Sequence, residues 1–240
     1  MAKSQVRFVN ASPVLHSARI QVFVSGAARA ATAPAAYAEV TPYAGAPSGV
    51  VQIRLAGTPN RAELGASLVD GQRYTVVAFP KGKATELKMF QDSVPTGGAA
   101  TLRVIHAAPE LGAPDVRLGQ RTIAQKVPFK SATRYVSVTP GSYQLSVTRP
   151  GDGGSPIASK GVTLSAGTAS TAIITGSQGR PTGITFTSDG SVTPAGAPET
   201  GLGGLAGGTH PWQLILLSAL LAGVLGGCAQ RVATRRRLDG

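Results

Sequence analysis

The chain has 240 residues, enough for one large domain or for two of about 90–100 residues each. Apolar residues make up 42% and charged residues only 14%, and the single cysteine, Cys228, excludes an intrachain disulfide framework. The net charge of +12 is scattered rather than clustered among aromatics, so no nucleic-acid partner is expected, and the excess suits attraction to anionic envelope polymers.

The first residues, "MAKSQVRFVNASP", have no apolar stretch of the kind that directs export. An export signal upstream of Met1 is the favoured reading, with tail-anchor insertion as the alternative. Strand-like sequence begins near Gln5. Val6 and Phe8 alternate with Arg7, which predicts an opening strand with Val6 and Phe8 inward and Arg7 outward. A second strand follows in "ARIQVFVSG" (18–26), with Ile20, Val22 and Val24 on one face. A third element is expected through "AYAEVTPYA" (36–44), and then strands in "VVQIRL", "RYTVVAF" and "LKMFQDS".

The same series then recurs. "VRFVNASPVL" (6–15) aligns with "LRVIHAAPEL" (102–111), and "SLVDGQRYTVVAF" (67–79) with "TLSAGTASTAIIT" (163–175), both at an offset of 96. Between them "GVVQIRLAG" (49–57) parallels "GSYQLSVTRPG" (141–151), "ARIQVFVSG" parallels "PDVRLGQ" (114–120), and "VPFKSATRYVSVTPG" (127–141) stands for the third element. "LKMFQDS" (87–93) parallels "ITFTSDG" (184–190). The order is kept throughout, which marks a duplicated unit of about 90 residues joined near "SVPTGGAAT" (93–101). Turn residues every 8–15 positions, and no amphipathic helical stretch before residue 210, predict an all-β chain of two tandem β-sandwich units, 5–95 and 100–191.

These segments, with "LRVIHAAPELGAPDVRL" and "VTPGSYQLSV" carrying most of the match, resemble the DUF4397 domain family. Its pattern runs roughly V-R-V-V-H-A-S-P-D-A-P-x-V-D-V-Y and later P-A-G-x-Y. The likeness covers about residues 5–191. His106, Ala107, Pro109, Pro114, Asp115 and Val116 of the second copy stand where the pattern places them. The first copy has Asn10 in place of the His, and "VLHSARIQVFV" lacks the Asp-Ala-Pro segment. The resemblance implies an Ig-like fold and a bacterial surface protein; it implies no activity.

His106 and Asp115 are the sharpest pair of reactive side chains. They could form a His–carboxylate base or part of a metal site, which would make the chain a metal-binding or hydrolytic surface enzyme. The structural reading weighs more: an imidazole at the end of a strand bonds loop backbone, and a carboxylate after Pro114 accepts turn N–H groups. The first copy also lacks the His. No nucleophile elbow is present. "GDGGS" (151–155) opens no helix and reads as a loop joining two strands. Tyr37, Tyr43, Tyr74, Tyr135 and Tyr143 fall in or beside strands and read as core or cross-strand partners. No cofactor and no catalysis are expected.

Past a Pro/Gly/Thr-rich linker (192–210) comes "WQLILLSALLAGVLGGCA" (212–229), without a charge. At a rise of about 1.5 Å per residue it spans roughly 27 Å, enough for a hydrocarbon core. A single C-terminal transmembrane helix over 211–229 is expected, with Trp212 at the interface and Leu214, Ile215, Leu216, Leu217, Leu220, Leu221, Val224 and Leu225 facing lipid. Arg231, Arg235, Arg236 and Arg237 place the tail 230–240 in the cytoplasm and the N-terminal units outside the cell membrane. "LGGC" (225–228) is no lipoprotein box, because its positive charge follows the apolar segment rather than preceding it. "APETGLGG" (197–204) has two readings. It is a spacer, or Pro198, Glu199, Thr200 and Gly201 are the end of a sortase signal of the L-P-x-T-G type, cleaved after Thr200, with Ala197 where a Leu is normal. The expected function is adhesion, envelope organisation or ligand binding at the cell surface.

Overall fold

Runs of Val, Ile, Thr and Tyr punctuated by Gly and Pro form strands throughout the computed structural model, which describes residues 3–93, 95, 97–150, 155–177 and 180–191. The first repeat contains β1 (Ser4–Asn10), β2 (Ser17–Val24), β3 (Ala27–Ala31), β4 (Ala35–Ala36), β5 (Ala44–Ala46), β6 (Gly49–Ala56), β7 (Glu63–Leu68), β8 (Arg73–Lys81) and β9 (Ala84–Asp92). The second contains β10 (Ala100–Ala107), a 3-10 turn (Pro109–Leu111), β11 (Asp115–Leu118), β12 (Arg121–Ala124), β13 (Val136–Val138), β14 (Gly141–Thr148), β15 (Ala158–Leu164), β16 (Thr168–Ser177) and β17 (Arg180–Ser191). The described chain is all-β apart from that turn.

The duplication is repeated in the sheets. Repeat 1 makes one sheet in the order β5-β1-β8-β9 and a second in the order β3-β2-β6-β7, with β4 added beside β2. Repeat 2 makes β13-β10-β16-β17 and β12-β11-β14-β15. In each first sheet the opening strand pairs in parallel with a later one: Arg7 stands opposite Thr75, and Arg103 opposite Thr171. The remaining ladders of each sheet are antiparallel.

Each pair of sheets closes over a core. Val6, Phe8, Ile20, Val22, Ile53 and Val76 fill the first, and Leu102, Val104, Val116, Leu145, Val147 and Ile174 the second. A third apolar cluster joins the repeats: Val9, Ala11, Val77 and Phe79 meet Ile105, Ala107 and Ile173. The central strands are therefore covered on both faces. Phe8 and Val76 point into their own sandwich, while the alternate residues Val9 and Val77 point at the other repeat.

This arrangement corrects the outward placement of Arg7, which is 1% exposed. The face read as solvent is the face that meets repeat 2. The contiguous apolar run "VVAF" (76–79) is the sequence trace of such a doubly covered strand. The third element is also corrected. Between β4 and β5, and between β12 and β13, the chain is mostly a loop, laid along the opening strand by the single bridges Val9–Val40 and Ile105–Ala132. Thr41 and Thr133 each accept the N–H of an opening-strand residue, Phe8 and Val104, at 2.9 and 3.0 Å. Strands β3, β7, β12 and β15 are additions to the expected series. β3 follows β2 through a two-residue turn in which Ser25 and Gly26 both have positive φ, 48° and 81°, as a type I′ hairpin requires.

Among the described residues no helix is long and apolar enough to cross a membrane. The transmembrane segment 211–229, the basic tail, the sorting motif and most of the "GDGGS" loop lie outside the described residues.

Candidate functional site: a buried charge ring between the repeats

Polar side chains lie between the repeats, on the faces where the two first sheets meet. Arg7 on β1 donates through Nε to Thr75 Oγ1 at 2.9 Å, and Thr75 donates to the Asp92 carboxylate at 2.8 Å. Asp92 pairs with Arg103 Nη2 of the other repeat. Arg103 in turn donates through Nε to Thr171 Oγ1 at 2.8 Å, and Thr171 donates to Asp189 at 2.6 Å. Asp189 pairs with Arg7 Nη2 and closes a ring of six residues. Each arginine thus bonds a threonine of its own repeat and an aspartate of the other.

Two tyrosines complete the ring. Tyr43 donates its hydroxyl to Asp92 at 2.6 Å while its ring lies under the Arg7 guanidinium at 4.8 Å. Tyr135 does the same with Asp189 and Arg103, at 2.7 and 4.9 Å. Further guanidinium N–H groups reach across the interface: Arg7 Nη1 donates to Ser188 O at 2.8 Å and to Thr187 Oγ1 at 3.0 Å, and Arg103 Nη1 to Gln91 O at 2.8 Å. Arg7, Asp92, Arg103 and Asp189 are at most 4% exposed. Two positive and two negative charges balance, and each is hydrogen-bonded, which is what makes burial of four ions tolerable. Burial pushes both phenols far above the ordinary tyrosine range. The aspartate that each one bonds adds to the shift, and the arginine over each ring opposes it.

Sequence reasoning missed this constellation. Strand position alone makes the tyrosines core or cross-strand partners and gives Thr75 and Thr171 no role. The signal was the repeat alignment itself. Arg7/Arg103, Thr75/Thr171 and Asp92/Asp189 are the same polar residue at matched strand positions, while the apolar residues around them differ.

The expected pair, His106 and Asp115, is brought to one loop without any direct bond between the two. His106 is fully buried, with Nδ1 at 2.9 Å from Val127 O and Nε2 at 2.7 Å from Ala108 O. Asp115 Oδ1 accepts the N–H of Lys126 at 2.7 Å. The two side chains therefore grip adjacent residues, 126 and 127, and Lys126 sits at a positive φ of 47° under that restraint. Both ring nitrogens of His106 face carbonyl oxygens, so neither offers a lone pair to solvent. Among the described residues no group of three or more His, Cys, Asp or Glu side chains could hold a metal ion. In repeat 1 the matching residue, Asn10, makes the equivalent grip: its Nδ2 donates to Leu15 O and Ala35 O, both at 3.2 Å.

Residues 4–117 and 100–199 match the family described as a domain of unknown function, DUF4397. The chain belongs to the DUF4397 family. No curated protein matches it in sequence. Solved structures similar to this DUF4397 chain include the Bacillus anthracis TIE protein, at 12% identity over 73% of this chain and 34% of that one, with a TM-score of 0.26. A leucine-rich repeat protein from Bacteroides thetaiotaomicron aligns at 14% identity over 74% of this chain and 26% of that one, with a TM-score of 0.21. A Bacteroides eggerthii protein put forward as a cell adhesion protein aligns at 11% identity over 80% and 93%, with a TM-score of 0.18. The DUF4397 chain thus spans 34% and 26% of the length of the first two.

The DUF4397 histidine carries a pH dependence. Burial holds the His106 imidazole below the usual histidine range, and the carbonyls of Ala108, Val127 and Pro128 offset part of this. Below the unfolded value, about 6.5, the unfolded chain takes up a proton that the folded chain resists, so the contribution of His106 is present above that value and lost as pH falls. Urea titrations between about pH 7 and pH 5 should show stability decreasing as pH falls. The substitution His106→Asn, which copies Asn10, should flatten that slope while changing stability at pH 7.5 by no more than about 1 kcal/mol. An unchanged slope in the variant would locate the titration elsewhere.

Proposed function

We propose that the chain is a non-catalytic module displayed on a bacterial cell surface, attached through its C-terminal segment and acting in adhesion, envelope organisation or ligand binding. Its twin Ig-like sandwiches would serve as one stiff element rather than two beads on a string. The observation that carries this reading is the charge ring. The buried arginines and aspartates and the half-buried Tyr43 and Tyr135 fix one repeat to the other, and His106 and Asp115 fix a loop. What remains for partners is the surface, including the outward residues of β6 and β14, which alternate with the core positions. The attachment rests on the uncharged stretch 212–229 followed by Arg231, Arg235, Arg236 and Arg237.

The test is proteolysis of intact cells followed by mass spectrometry of the released peptides and of the C-terminus isolated from the envelope. Peptides from residues 3–191 should be released without lysis. A native C-terminus at Gly240 assigns a retained membrane helix, and one at Thr200 assigns sorting to the wall. Repeat peptides that appear only after lysis would overturn the surface reading.

A further inference from the structure

A cleft of about 720 Å³ lies where the β8–β9 hairpin of repeat 1 meets the loop between β12 and β13 of repeat 2. Its volume is in the range of ligand sites. Lys81 and Lys83 come from the hairpin and Lys130 from the loop, so the cleft exists only because the repeats are fixed together. Against these three cations the lining carries one carboxylate, Glu110.

The surroundings are biased the same way. Lys130 Nζ bonds Glu86 at 2.7 Å, and Lys88 Nζ reaches Lys130 O at 3.4 Å. The Glu86 carboxyl lies below its usual range, first through its bond to Lys130 and then through the charges of Lys130, Lys81 and Lys88. The field at the cleft is therefore positive even where one lysine is paired. The floor is apolar and fixed. Phe129 packs edge-on against Phe79 at 6.1 Å and against His106 at 5.9 Å, with Pro80 and Pro109 beside it in the lining.

We propose that this cleft binds an anionic glycan of the cell envelope, with its acid groups on Lys81 and Lys83 and the apolar edge of a sugar against Phe129 and Pro109. The proposal rests on the surface reading above and names its ligand class. The chemistry favours a polymer over a single phosphate. The cations are lysines on flexible stems, tolerant of anion geometry, with no arginine fork among the lining residues to demand a bidentate group. Phe129 is half-buried and Lys130 Nζ lies over its ring at 5.3 Å, so the cleft offers a fixed apolar wall of Phe129 and Pro109 next to a cation, a pairing suited to a pyranose that carries an acid group. The sequence shows only the scattered positive charge; the convergence of lysines comes from the interface.

The test uses the full chain in detergent micelles and three probes: polygalacturonate, a phosphomannan and uncharged mannan. The acidic glycans should bind and weaken as salt is raised, and mannan should not bind. Whichever of the two binds more tightly identifies the acid as carboxylate or phosphate. The variant Lys81→Glu/Lys83→Glu should lose about tenfold or more in affinity for the acidic glycans. The variant Arg121→Glu/Lys160→Glu makes the same charge change at exposed positions on the other sheet of repeat 2 and should stay within about twofold. Equal losses in the two variants would overturn the site in favour of diffuse charge attraction. No binding of either acidic glycan would overturn the ligand class. If intact-cell proteolysis still releases the repeat peptides in that case, the surface reading stands without this ligand.

Discussion

Replacing Asp92 with asparagine is expected to destabilise the folded chain by about 3–5 kcal/mol. Asp92 is 4% exposed and accepts from Thr75, Tyr43 and Arg103. The amide keeps the shape but removes the charge, and the Arg103 guanidinium, 3% exposed, is left inside the interface without its counter-ion. The cost is the penalty of that orphaned cation more than the worth of the pair. The cleaner measurement is therefore a cycle. Arg103→Met should also be costly alone, because it orphans Asp92. The double variant should be less destabilised than the sum of the singles, with a coupling in the range of about 0.5–3 kcal/mol. Chemical denaturation at constant pH measures all three. A cost below about 1 kcal/mol for Asp92→Asn would mean that the ring is solvated and behaves as a surface pair.

The reciprocity of the ring makes the expectation sharper. Asp189 occupies the same position in the other repeat, bonded to Thr171, Tyr135 and Arg7. Asp189→Asn should thus match Asp92→Asn in size, although the two residues are far apart in sequence. The route to Asp189 differs in one detail. β17 is irregular where it passes the β16 residues Ala169 and Ser170, with Ser188 and Gly190 as their partners and Asp189 between them, whereas Asp92 stands directly opposite Arg73 on β8. An extra residue in a strand re-aims a side chain. Here it brings the second carboxylate to a position equivalent to the first despite the altered register.

The fold class, the duplication and the main strands were legible because they depend on local patterns: alternating residues, turn residues and self-alignment. What was not legible depends on which surface meets which. Arg7 alternates with Val6 and Phe8, and a strand covered on one side only would place it in water; nothing local states that the other side is covered too. The apolar run from Val76 to Phe79 was the available hint, since a strand with one wet face has no use for four such residues in a row. The third element, 36–44 and 127–141, is expected as strand because its Val, Tyr and Thr residues have strand propensity, but most of it is loop, with β13 (Val136–Val138) as the strand within the second range. In the structure those residues instead tie a loop to the edge of the opening strand, as Thr41 and Thr133 do. His106 and Asp115 were read from the residues around them. In the structure each bonds backbone, His106 at Ala108 close by and at Val127, 21 residues on, and Asp115 at Lys126, 11 residues on, partners that the flanking residues alone do not name.

Phe79→Ala is expected to cost about 3–5 kcal/mol, and its effect should cross the repeat boundary. The side chain is fully buried on β8 of repeat 1, yet it packs against Phe129 of repeat 2 at 6.1 Å as well as against Phe90 of its own hairpin at 6.2 Å. Removing the ring opens a cavity in the third cluster, where Ile105 and Ile173 supply the facing wall. If the repeats fold as one cooperative body, the loss lowers protection everywhere by a similar free energy. Hydrogen exchange followed by mass spectrometry should show β10 and β16 exchanging faster in the variant, along with β1 and β8. Tandem domains joined only by a linker would respond differently: exchange would rise in repeat 1 while repeat 2 kept its protection. That outcome would reduce the charge ring to a contact between independent domains. The third cluster is the larger apolar term in the interface and the ring its polar one. A chain without disulfides that is to hold two sandwiches in a fixed relation has to use both, because an apolar patch alone fixes no angle, and reciprocal arginine–aspartate pairs can each form in one register only.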